Sequence, residues 1–136
     1  MRFATFLLLS FGVTGAWAGS GPGQEEHADP VRGKYIVEQL VMCARCHSPK
    51  NDHDEVIESR NLQGAPIEYL SPFPEVRYAN TAPSIAGLPQ YTIQEAITLF
   101  TTGISRTGKE LRGPMPQFRM NHQDALDVAT YLKSMP

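Results

Sequence analysis

Cysteine is scarce in this chain: its 136 residues contain two, Cys43 and Cys46, too few for a network of disulfides to staple a small fold. Tryptophan occurs once, at position 17. After residue 13 no apolar run approaches the roughly 20 residues that a membrane-spanning helix needs. Charge of one sign is lacking too. Twelve Lys and Arg face fourteen Asp and Glu, a formal net charge of −2, so the basic footprint of a nucleic-acid binder is missing and no cationic face for a membrane surface appears. Strand-like alternation, internal repeats and low-complexity segments are also lacking, which turns the reading toward helices joined by irregular chain.

The first eighteen residues, MRFATFLLLSFGVTGAWA, combine Arg2, an apolar stretch from Phe3 to about Val13 and the small-residue site Ala16-Trp17-Ala18. This is the pattern of a secretory signal peptide, with cleavage expected after Ala18 and the mature protein expected outside the cytoplasm. A membrane anchor fits less well, because the apolar run is short and is broken by Ser10 and Gly15. Cleavage removes Arg2 and the single tryptophan. What is left suits one domain, and with few aromatics and eleven prolines it has modest means of filling a core. A further apolar body is expected to complete it.

Residues 19–28 read as a flexible leader and 29–136 as the domain. Asp29 followed by Pro30 marks a helix start, and Val31, Tyr35, Ile36, Leu40 and Val41 carry helical spacing up to the cysteines. Residues 48–82 hold Pro49, Pro66, Pro72 and Pro74 among Asn, Asp and Gly, the composition of a long irregular connection. Connections of that length inside a domain commonly serve a function, and Leu62, Ile67, Tyr69, Leu70, Phe73 and Val76 suggest one that wraps something. Thr92 opens the capping box TIQE of a helix running to Gly103, and Asn121 opens a last helix with Asp124 in its first turn and Lys133 in its last. Three helices joined by irregular segments give an all-α class.

Both thiols lie in "CARCH", residues 43–47. Cys-x-x-Cys-His is the attachment signature of c-type haem: two thiols at this spacing add to the vinyl groups on one side of a porphyrin, and the adjacent histidine reaches the iron. Three other chemistries compete. A thioredoxin-like pair needs a βαβ surround that the pattern lacks. A zinc site needs a fourth ligand and usually a second paired motif. A plain disulfide leaves both the histidine and the thin core unexplained. One covalent haem accounts for all of these features.

The second axial position then has to come from far along the chain. Met42 adjoins Cys43 and Met135 is at the end, which leaves Met115, Met120, His53 and His122. Met115, in "RGPMPQF", is held between Pro114 and Pro116, which fix the backbone and remove two N–H groups. It is the favoured ligand and Met120 its main rival; a loop methionine filling a gap is the plainer alternative. His122 opens the last helix and His53 lies in the charged run NDHDE, both reading as surface positions.

"GKYIVEQLVMCARCH", "APSIAGLPQYT", "TTGI" and "GPMPQFRMNHQDALDVATYLKSMP" together resemble the class I monohaem c-type cytochromes, and are similar to the cytochromes and cytochrome subunits that accompany bacterial periplasmic dehydrogenases. The resemblance implies a class I cytochrome c fold and thioether links from Cys43 and Cys46. It implies axial ligation by His47 and Met115, a Pro83 carbonyl that orients His47, and Ile85 of the same segment against the haem. It also implies a close crossing of the first and last helices at Gly33, against Tyr131 and Leu132. A tryptophan that shields the haem in some relatives has no counterpart, and the insert between His47 and Pro83 exceeds that of the smallest members.

The expected function is electron transfer, with the iron cycling between Fe(II) and Fe(III), from a dehydrogenase donor to an oxidase or a second cytochrome, either as a free carrier or as a subunit. The alternative is a haem enzyme, peroxidase-like, with a labile distal methionine and His53 and Asp54 as distal groups. No nucleic acid and, after cleavage, no membrane span is expected.

Overall fold

The computed structural model describes residues 27–136; the expected signal peptide and residues 19–26 of the leader lie outside the described residues. Helix α1, Pro30–Tyr35, starts where the sequence places it: the Asp29 carboxylate accepts the N–H groups of Val31 and Arg32 at 2.9 and 3.0 Å, and Pro30 occupies the first helical position. The sequence pattern carries this helix to the cysteines as one regular element, whereas the structure changes register at Ile36. Residues Ile36–Leu40 form a π-helical turn, closed by Val41 N–H on the Ile36 carbonyl at 2.8 Å. The helix stops at Met42, whose φ of 54° lies in the left-handed region. The CARCH motif then makes its own short helix, α2, Ala44–His47.

Helix α3, Ile93–Thr102, has the complete Thr92–Glu95 capping box and ends on Gly103 at φ 74°. Helix α4, His122–Ser134, is capped by Asn121, whose side chain accepts the Asp124 N–H at 2.8 Å. Among the described residues no helix is long and apolar enough to cross a membrane.

The connection between α2 and α3 is more ordered than its composition suggests. It contains a 3₁₀ turn, Glu58–Arg60, and a two-residue antiparallel ladder of β1, Ala65–Pro66, with β2, Thr81–Ala82, in the register Ala65↔Ala82 and Pro66↔Thr81. Two residues per strand are too few to leave an alternating pattern in sequence. Of the apolar residues expected to wrap something, Leu62 is 0% exposed and Ile67 half-buried, but Tyr69, Leu70, Phe73 and Val76 face outward, Leu70 at 91%. The wrapping is done by residues 61–67 and 78–86.

Helices α1 and α4 cross at Gly33. A Cβ built there would stand 2.6 Å from the Asp127 carbonyl carbon and 2.9 Å from Tyr131 Cβ, so hydrogen is the only side chain with room. Tyr131 meets Gly33 as the resemblance implies, but its second neighbour on α4 is Asp127, one helical turn before Tyr131, in place of Leu132. Asp127 is 1% exposed and accepts the Asp29 N–H, the Arg32 guanidinium and the Gln123 amide, each at 2.8 Å. Arg32 also pairs with Asp124, and the Tyr131 hydroxyl donates to Glu38 at 2.7 Å. The apolar core gathers Ile36 and Val37 with Leu62, Leu88, Ile97, Phe100, Val128 and Leu132. Several other members are alanine: Ala86, Ala96, Ala125 and Ala129. Helices packed through alanine approach closely and fill little volume, which leaves room beside them.

Candidate functional site

A cavity of about 500 Å³ opens beside this core. From α2 and the residue before it, it is lined by Cys43, Cys46 and His47; from α3 by Ala96, Leu99 and Phe100; and from the connections by Pro83, Ile85 and Met115. Each element reaches it for a local reason. The π turn and the left-handed Met42 end α1 and let the chain turn into α2, so that the motif starts a new helix. His47 N–H and Ser48 N–H close that short helix on the Cys43 and Ala44 carbonyls at 3.0 and 3.1 Å. Past His47, the Ser48 hydroxyl accepts the Leu62 N–H at 2.8 Å and donates to Asn61 Oδ1 at 2.7 Å, folding the connection back under the motif.

His47 is 6% exposed. Its Nδ1 lies 2.8 Å from the Pro83 carbonyl, which can only accept, so Nδ1 carries the proton and Nε2 keeps its lone pair. Burial lowers the tendency of the ring to take a second proton, and the Pro83 contact opposes this only in part. The ring is therefore neutral and oriented, as a metal-binding imidazole must be. The thiols of Cys43 and Cys46 are free and half-buried. Burial pushes the Cys43 thiol up to about 11, so at neutral pH it is a thiol and not a thiolate.

Met115 is half-buried and lines the cavity, between Pro114 and Pro116, which line it too. Its rival Met120 packs against the apolar core, with its N–H on the Phe100 carbonyl at 3.0 Å. Met42 reaches the lining beside Cys43. His53 sits in an exposed turn in which Asn51 accepts its N–H, and the neighbouring Asp54 pairs with Lys50 at 2.6 Å. His122 is exposed at the start of α4. Among the described residues no group of three or more His, Cys, Asp or Glu is placed to hold a metal, so a zinc site built from the motif finds no geometry.

Two further features of the lining were not legible as parts of a site. Leu99 and Phe100 were legible only as an apolar stripe, which marks a buried face without saying what it faces. Arg45 and Arg112, both exposed, stand at the edge of a lining that is otherwise largely apolar. An apolar ring system bearing carboxylates matches that combination, with the thiols and His47 on α2 placed to hold it.

The site therefore fits a haem, with Cys43, Cys46 and His47 as the residues of the lining that could hold it. No curated protein matches the chain. The cytochrome c family model matches residues 31–136, the stretch that contains the motif, the cavity and all the helices except the first residue of α1. The chain belongs to the cytochrome c family, whose work is haem-based electron transfer.

Proposed function

We propose that this protein is an exported, periplasmic electron carrier holding a single haem c between His47 and Met115, and that it takes electrons from a dehydrogenase and passes them to an oxidase or another cytochrome. When bound, the haem supplies a one-electron Fe(II)/Fe(III) couple, whose potential is raised by ligation from a thioether and an imidazole. The chain supplies everything else. Cys43 and Cys46 fix the cofactor to α2, and His47 presents Nε2 because the Pro83 carbonyl occupies Nδ1. Pro114 and Pro116 restrict the backbone around Met115. The apolar lining excludes water and limits the charge redistribution that each electron would otherwise drive.

The observation that carries this reading is that Cys43, Cys46, His47 and Met115 line one cavity although up to 72 positions separate them in sequence. Visible spectroscopy of the purified, haem-loaded protein tests it. The oxidised form should show the weak charge-transfer absorption of iron–methionine ligation. Met115→Ala should abolish that absorption and Met120→Ala should retain it. Loss in the Met120 variant alone, or rapid binding of carbon monoxide to the reduced wild type, would refute Met115 ligation.

A further inference from the structure

The segment that carries Met115 leans on the long connection at one point. The Tyr78 ring lies directly on Gly113: a Cβ built on that glycine would be 2.5 Å from Cε1, 2.8 Å from Cδ1 and 3.3 Å from Cζ of the ring. Next to this contact, Ala79 N–H donates to the Gly113 carbonyl at 2.7 Å. Gly113 is two residues before Met115, and the intervening Pro114 has no N–H with which to anchor the chain. The Met115 N–H turns back on the Arg112 carbonyl at 3.2 Å, a bond within the same loop. The contacts at Gly113 therefore tie that loop to the rest of the molecule close to the methionine.

The same short stretch also reaches His47. From Tyr78 the chain runs through Ala79, which lines the cavity, into β2, Thr81–Ala82, and on to Pro83, whose carbonyl holds His47 Nδ1. Residues 78–83 thus brace the Met115 loop at one end and orient the imidazole at the other. β2 is itself held by its pairing with Ala65–Pro66, and the Ile67 N–H donates to the Asn80 carbonyl at 2.9 Å. The brace is a fixed strap rather than a free loop.

We infer that Tyr78 is a positioning residue for Met115: its ring, packed on Gly113, holds the methionine loop against the cavity and sets the fraction of molecules in which the distal position is closed. The inference rests on Met115 being the distal ligand. Glycine at 113 is required for space, since any side chain there would displace the ring. An external ligand can bind only when the loop has swung away, so its apparent affinity reports the open fraction. Truncating the ring removes the packing that favours the closed loop.

The test uses the haem-loaded full chain in its oxidised form and imidazole as the probe. Tyr78→Ala should bind imidazole about tenfold or more tightly than wild type and should weaken the charge-transfer absorption. Tyr78→Phe, which keeps the ring, should match wild type in both. Gly113→Ala, which pushes a methyl into the ring, should resemble Tyr78→Ala and provides the reading if that variant fails to accumulate. Combining Gly113→Ala with Tyr78→Ala should recover part of the loss, because the methyl then fills vacated space. Unchanged imidazole affinity in both Tyr78→Ala and Gly113→Ala would overturn the inference, as would an equal loss in Tyr78→Phe. A wild type without the charge-transfer absorption would instead overturn Met115 ligation itself.

Discussion

Ser48 shows how much of the site depends on single polar contacts beside the motif. Its hydroxyl is buried, accepts the Leu62 N–H and donates to Asn61. Leu62 is itself held at φ 59°, a left-handed conformation that a branched residue adopts only under constraint, and its carbonyl receives the N–H groups of Ile85 and Ala86 at 2.9 and 3.1 Å. Ser48→Ala leaves the buried Leu62 N–H without its acceptor, a loss of about 1–3 kcal/mol. Denaturant unfolding of the haem-loaded variant should show that loss with an unchanged visible spectrum, since Ser48 does not line the cavity. An altered spectrum with undiminished stability would show that Ser48 acts on the cofactor instead. None of this network is legible in sequence, because the left-handed conformation imposed on Leu62 has no local signal and its partners lie 14 and more residues away.

At the scale of elements, what could be read were features with local causes. Asp29-Pro30, the Thr92–Glu95 box and Asn121 each cap a helix through bonds within three residues, so their patterns survive in the chain. The π turn of residues 36–40 and the β1–β2 pairing depend on distant packing and left no pattern. The apolar residues 69–76 misled for a related reason: composition marks them as apolar but does not say which way they point. The α1–α4 crossing has its own testable consequence. Burial of Asp127 disfavours its charged form, but the Asp29 N–H, Arg32 and Gln123 outweigh it and hold the carboxyl below the usual aspartate range. A group with a depressed folded pKa contributes stability above its ordinary value near 3.8 and loses it as pH falls through the lower folded value. Stability measured by denaturant titration should fall along an acid limb below about pH 4, and Asp127→Asn should be less stable at neutral pH with a flatter limb. An Asp127→Asn limb as steep as that of wild type would assign the acid sensitivity to other carboxylates.

For the whole molecule, the cavity is large against the stability of so small a domain. Without the haem, a largely apolar cavity of about 500 Å³ would stand open to water beside the core, leaving unburied much of the apolar surface on which a domain of marginal stability depends. The alanine-rich seams between the helices cannot swell to compensate. Protein carrying Cys43→Ala and Cys46→Ala and purified without haem should therefore lack a cooperative thermal transition, whereas the haem-loaded wild type should show one; calorimetry distinguishes them. A sharp transition in the haem-free variant would mean that the polypeptide folds without the cofactor.

Central to all of this is one covalent haem per chain, and the intact mass of the purified protein under denaturing conditions tests it most directly. The expected value is the mass of the polypeptide plus one haem, retained after unfolding because two thioether bonds hold it. A mass equal to the polypeptide alone would contradict it.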